Sequence, residues 1–199
     1  KYLNLDSIKI ITSTGSPLSE ESFKYVYESI KKDVHLASIA GGTDMVGCLV
    51  LGNLYSSVYK GEIQGQSLGI DVDVFNNDGK STKDGEKGEL VVKQPFPSMP
   101  IKFWGDKDGE KYHMAYFKKF KNIWHHGDFI ERTSNNGFIM RGRSDTTLNP
   151  GGVRIGTAEI YQQVEDIDFI TEGLVVGQEY QNDVRIILFV TTKNNETLD

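Results

Sequence analysis

Residues 8–44 read IKIITSTGSPLSEESFKYVYESIKKDVHLASIAGGTD, and this stretch decides the fold. Ile8–Ile11 is a short apolar strand stopped by Ser13-Thr14-Gly15-Ser16-Pro17, a run of turn-forming residues. Ser19 is placed to cap a following helix, with Glu20 and Glu21 in its first turn, where the helix dipole favours negative charge. Phe23, Val26, Tyr27 and Ile30 recur at the spacing of one helical face, and Lys31 and Lys32 fall near the helix end that favours cations. His35–Ile39 is a second strand, running into Ala40-Gly41-Gly42-Thr43-Asp44. Strand, helix, strand in this order predicts a parallel pair joined by a crossover. The 13–17 and 40–44 loops then leave the same carboxyl edge of the sheet, where open α/β sheets bind their ligands.

The pattern changes near residue 60. Ile70, Val72 and Val74 alternate with Asp71 and Asp73, the signature of a half-buried strand. Asn77-Asp78-Gly79 is turn chemistry, and Gly88–Lys93 supplies the next strand. The three prolines between Pro95 and Pro100 cannot continue a ladder and mark a loop. Phe129–Arg132 and Phe138–Arg141 flank Ser134-Asn135-Asn136-Gly137 as a further hairpin, so residues 62–141 read as a mainly antiparallel unit. After Asp145 come a hairpin through Asn149–Gly152, a helix with Ile160, Tyr161 and Val164 inward, and strands at 174–176 and 184–191. The chain opens on Lys1 rather than Met, and two strands alone bury little core. It is therefore expected to be a piece of a longer polypeptide.

Composition removes several classes of function. The 199 residues carry a net charge of −6, spread evenly over both halves, and lack the basic field of a general nucleic-acid binder. The longest apolar run, Ile186–Val190, falls far short of the ~20 residues that span a bilayer. The single cysteine, Cys48, forms no internal disulfide and fits a reducing, cytoplasmic setting.

Three segments carry chemistry. Gly41-Gly42-Thr43-Asp44 offers backbone N–H groups and a hydroxyl to a phosphate and a carboxylate to Mg²⁺, although a Gly-rich strand exit reads the same way. Trp124-His125-His126-Gly127-Asp128 places a carboxylate that can accept both hydroxyls of a ribose diol, or that simply sits in a turn. Arg141, Arg143 and Arg154 bring guanidinium groups suited to phosphate, or to solvated surface. His125-His126, with His113 or Cys48, lacks the spacing of a zinc site.

In sequence order these segments resemble the adenylate-forming superfamily of acyl-CoA synthetases, luciferases and peptide-synthetase adenylation domains. Residues 139–160, IMRGRSDTTLNPGGVRIGTAEI, are similar to its hinge motif. Gly42-Thr43-Asp44 resembles its aromatic/Gly-x-Thr-Glu motif, Gly127-Asp128 its Thr-Gly-Asp motif, and Gly15-Ser16-Pro17 the segment lying against adenine. The wording of 41–44, 58–64 and 124–128 is most similar to members that activate acetoacetate. The resemblance implies an α/β plus β fold. Residues 1–61 would end a large α/β nucleotide-binding subdomain, 62–144 would form a distorted antiparallel β-barrel subdomain, and 145–199 the hinge and start of a small, mobile α+β domain.

It also implies substrates and roles: a short acid such as acetoacetate, ATP with Mg²⁺, and CoA. Thr43 would touch the α-phosphate, Asp44 would help hold Mg²⁺, Asp128 would bind the ribose hydroxyls, and Arg143 would contact ribose or phosphate. Arg154 would meet phosphate in the thioester-forming arrangement, Asp145 would be the hinge, and Gly152 would lie beside the pantetheine tunnel. Gly41 falls where acetate-activating relatives carry a Trp that closes the acyl pocket, so its missing side chain implies room for a longer acid. Asp44 replaces the usual Glu, and His126 the usual Thr. No segment matches the family's loop for the β- and γ-phosphates or its Gly-flanked lysine, so this chain by itself is expected not to adenylate.

Overall fold

A computed structural model describes residues 4–148, 150, 155–181 and 183–193. The chain forms two compact units, Lys1–Met140 and Arg141–Asp199.

The first unit begins with the expected parallel pair. β1 (Ile10–Ser13) lies beside β2 (His35–Ser38), in register from Ile10↔His35 to Ser13↔Ser38. Between them, the Ser19 hydroxyl accepts the Ser22 N–H at 3.2 Å and caps α1 (Glu20–Tyr25), which buries Phe23. The helix then widens into a π-turn over Val26–Ile30, closed by Lys31 N–H to the Val26 carbonyl at 2.9 Å. One extra residue in a turn shifts everything after it by about a third of a revolution. Ile30, expected on the inner face, is therefore 41% exposed.

β2 continues past Ile39 into β3 (Ala40–Gly42), which turns back on β4 (Gly47–Leu51) and is joined by the short β5 (Gly65–Gln66). A four-stranded antiparallel sheet follows: β6 (Val72–Phe75), β7 (Lys87–Val92), β8 (Trp124–Arg132) and β9 (Phe138–Arg143), in that order, with β9 running across the boundary between the units. Met45, Leu49, Val50 and Ile63 share one core with Val74, Leu90, Trp124 and Ile130, so the two antiparallel sheets pack on each other. Ile63 and Phe138 exchange backbone hydrogen bonds of 2.7 and 2.8 Å and tie their edges. Both sheets are open; among the described residues no barrel closes.

The far face of the four-stranded sheet is also covered, by Phe120 packed on Phe75 and Val91. Its polar groups are consequently buried rather than solvated as a half-buried strand would have them. Asp73 accepts from Ser81 Oγ at 2.6 Å, Val74 N–H at 2.8 Å and Arg132 at 3.0 Å, with Lys93 Nζ 3.2 Å away. Between Pro100 and Trp124 the chain forms a helix that no periodicity announced, α2 (Glu110–Tyr116), whose first turn is held by the Asp106 carboxylate on the N–H groups of Lys111 and Tyr112.

In the second unit, α3 (Thr157–Glu165) starts where the Gly156 N–H reaches Glu159 Oε1 at 2.9 Å and buries Val164, with Ile160 and Tyr161 partly covered. It packs on a long hairpin, β10 (Ile170–Tyr180) and β11 (Asp183–Thr192), where the Tyr161 hydroxyl accepts the Val175 N–H at 3.1 Å. Leu148 and Ile155 exchange hydrogen bonds of 2.9 and 2.8 Å; of the hairpin turn expected through Asn149–Gly152, all but Pro150 lies outside the described residues.

Burial by itself raises the Asp73 carboxyl, but the Ser81 hydroxyl, the Val74 N–H and the Lys93 ammonium outweigh it and hold the group below the ordinary carboxylate range. A carboxylate depressed in the folded state contributes stability above its unfolded pKa of about 4 and loses it as pH falls through the folded value. Thermal melts of the full-length polypeptide from pH 7 down to 3 should therefore lose less stability with acid in Asp73→Asn than in the wild type. Identical acid slopes would contradict this.

Candidate functional site

Strand β8 builds the site. Along it Trp124, His126 and Asp128 stand two residues apart and all three are buried, with Gly127 at φ 85° in the stretch where the register against β7 shifts. The Trp124 indole N–H donates to His126 Nδ1 at 3.3 Å. A neutral imidazole held this way keeps its proton on Nε2, and that atom lies 3.7 Å from Asp128 Oδ2. Trp124 thus sets the tautomer of His126, and His126 stands beside the Asp128 carboxylate.

The β3–β4 turn meets this stretch of β8. Thr43 and Asp44 are exposed, while the next residue, Met45, is fully buried and anchors the turn in the core. Val46 closes it at φ 50°, a left-handed conformation rare for a β-branched residue. The Tyr116 hydroxyl, from α2, donates to Asp44 Oδ2. Its ring stacks on the Trp124 indole with centroids 3.7 Å apart at 12°. A continuous path therefore runs from Asp44 through Tyr116, Trp124 and His126 to Asp128. Sequence reading placed Asp44 and Asp128 by motif but assigned nothing to Tyr116 or Trp124. The period-two spacing of Trp124, His126 and Asp128 was the available signal; Tyr116 needed the unforeseen helix.

His125, one residue along, points the other way and reaches Glu89 Oε2 at 3.0 Å, while Lys119 Nζ reaches Glu89 Oε1 at 2.5 Å. Adjacent histidines on opposite faces of a strand do not share a metal ion. Among the described residues no group of three His, Cys, Asp or Glu could hold one.

Gly15, Ser16 and Pro17 are exposed where the chain leaves β1, at the same end as the 40–44 segment leaves β2. Gly41 sits in a bulge of the β3–β4 ladder, where an added Cβ would overlap the Gly47 carbonyl and come within 2.5 Å of Cys48 Cα. Its lack of a side chain is required by backbone packing, so exchanging Gly41 for Trp probes the hairpin as well as any acyl pocket. In the second unit, Arg143 Nε lies 3.5 Å from Asp145 Oδ1, in a 3₁₀ turn over Ser144–Thr146, and both side chains are solvent-accessible. Gly152 and Arg154 fall outside the described residues.

The fold has a solved counterpart: a benzoate CoA ligase from Burkholderia xenovorans LB400, 23% identical, matches 97% of the chain and 37% of its own length with a TM-score of 0.77. At higher identity the likeness narrows. An acetoacetyl-CoA synthetase structure from Streptomyces lividans is 41% identical with a TM-score of 0.85, matching 98% of the chain and 30% of its own. The acetoacetyl-coenzyme A synthetase of Rhizobium meliloti (strain 1021) is 60% identical over 187 residues, 94% of the chain and 29% of that protein. The acetoacetyl-CoA synthetase of Gallus gallus is 47% identical over 195 residues, 96% of the chain and 29% of that protein. The resemblance read from the motifs thus extends over nearly the whole sequence, and the chain spans about 29% of the length of these curated relatives. No family model matches it.

At Gly42 an added Cβ would overlap the Asp44 carboxylate and come within 3.1 Å of His126 Cε1. The carboxylate is the movable party. Gly42→Ala should keep the fold but displace Asp44 from Tyr116, as a structure of the variant would show. A melting midpoint lowered by more than about 4 °C, on the order of 1 kcal/mol for a domain of this size, would contradict that.

Proposed function

We propose that the chain is part of an AMP-forming acid–CoA ligase whose acid is acetoacetate. In this reading, acetoacetate displaces pyrophosphate from ATP to give acetoacetyl-AMP, and the thiol of CoA then displaces AMP to give acetoacetyl-CoA. The observation that carries it is the linkage of the Thr43–Asp44 turn to Asp128 through Tyr116, Trp124 and His126. This linkage supports reading the Thr43–Asp44 turn, with a hydroxyl and a carboxylate suited to the phosphate end of a nucleotide, as part of one site with Asp128, a carboxylate suited to ribose.

The first step joins two anions, and its barrier falls only if charge building on the phosphoryl oxygens is met by fixed donors and cations. Thr43 donates its hydroxyl to the α-phosphate. Asp128 accepts the two ribose hydroxyls, which fixes the nucleotide so that the acid meets phosphorus in line. Gly15–Pro17 lie against adenine, at the carboxyl edge of the β1–β2 pair, the edge at which open α/β sheets bind ligands. Mg²⁺ suits Asp44, because that ion is commonly held by one or two carboxylates with substrate phosphates completing its shell. When bound, it neutralises phosphate charge.

Residues 1–61 then serve as the end of the nucleotide-binding subdomain, 62–144 as the β subdomain and 145–199 as the mobile part, turning about Asp145. Arg143 contacts ribose or phosphate. Arg154 meets phosphate and Gly152 borders the pantetheine path during thioester formation. Gly41, by keeping β3 against β4, sets the wall of the acyl pocket. The enzyme works in the cytoplasm, where it would draw a ketone body into lipid metabolism.

An acid panel on the full-length polypeptide tests this. Pyrophosphate release that depends on acid, is fastest with acetoacetate and is followed by CoA thioester formation is the expected result. ATP binding without acid-dependent pyrophosphate release would point instead to a nucleotide-binding module without ligase chemistry.

A further inference from the structure

Tyr116 links Asp44 to the Trp124 indole, and the reading above gives it no role toward the metal or the nucleotide. Its hydroxyl donates to Asp44 Oδ2, and its ring stacks at 3.7 Å on Trp124, which is 1% exposed. The rings of Phe103 and Tyr112 meet the same ring at 66° and 67°, with centroids 5.6 and 5.4 Å away, and restrict its plane. A phenol ring packed on three sides has little rotational freedom, so the position of its hydroxyl oxygen is set before any ligand arrives, and the Asp44 carboxylate orients the O–H. Asp44, by contrast, is exposed, sits in a turn and is one methylene shorter than the glutamate it replaces.

We infer that Tyr116 is a positioning residue: it holds the Asp44 carboxylate in the orientation that receives the metal–nucleotide complex. One oxygen, Oδ2, is occupied by the phenol, which leaves the other lone pairs of the carboxylate to face a cation. Hydrogen bonds to a ligating carboxylate commonly tune its affinity for metal by 10–100-fold. The same ring, through Trp124 and His126, couples Asp44 to Asp128, so both ends of the nucleotide are aligned by one aromatic stack. This inference rests on the reading of Asp44 as the metal-facing carboxylate.

The test is Tyr116→Phe in the full-length polypeptide, which keeps the stacked ring and removes only the hydroxyl. Calorimetry with ATP is run once with Mn²⁺ and once with EDTA, alongside Asp44→Ala. Tyr116→Phe is expected to weaken binding of the Mn²⁺–ATP complex about 10-fold. Binding of metal-free ATP, the KM for the acid and the melting midpoint should stay as in the wild type. A purely structural tyrosine would move both binding constants or neither. If Asp44→Ala weakens Mn²⁺–ATP binding and Tyr116→Phe does not, the positioning role is overturned and the site reading stands. If neither variant responds, the reading of Asp44 falls and the inference with it.

Discussion

The buried indole of Trp124 is the part on which the site depends. Its ring and its N–H are both used: Tyr116 stacks on the ring, and the N–H holds His126 beside Asp128. An aromatic ring of this size contributes both buried area and directional contacts. Here the directional part matters more, because it orients groups from three separate elements: α2, the β3–β4 turn and β8 itself. Loops carry the polar groups, and a rigid sheet sets where they stand.

That arrangement requires both faces of β8 to be packed. On one face Trp124 and Ile130 join the main core; on the other, Glu89 is wholly buried between Lys119 and His125. A carboxylate in such surroundings is tolerable only with its charge matched and its oxygens hydrogen-bonded. The buried Asp73 obeys the same rule, with Ser81, Lys93 and Arg132 around it. Alternation along β8 thus sends His126 toward the candidate site and His125 toward a structural ion cluster, two uses for a repeated residue type.

Much of this was legible in the amino-acid order. The parallel pair follows from apolar runs at 8–11 and 35–39 around a helix with Ser19 as its cap, and the cap forms as read. The strands at 174–176 and 184–191 lie inside the longer β10 and β11. What escaped was set by tertiary packing. The π-turn that exposes Ile30 leaves no mark in the local apolar spacing. Asp73 looked like a solvent-facing position because its partners, Ser81, Lys93 and Arg132, come from three other places in the chain. α2 stayed hidden because its cap is a left-handed Gly109 backed by Asp106, rather than a Ser or Thr before an apolar stripe. Of the candidate site, motif order singled out Thr43, Asp44 and Asp128, but Tyr116, which bonds to Asp44 and stacks on Trp124, carries no motif.

The most direct measurement is a crystal structure of the full-length polypeptide with a non-hydrolysable acetoacetyl-adenylate analogue. Both ribose hydroxyls are expected on the Asp128 carboxylate and the phosphate within hydrogen-bond reach of Thr43, with Tyr116 still stacked on Trp124. An analogue seated elsewhere, with Asp128 and Thr43 touching different molecules or none, would contradict this arrangement.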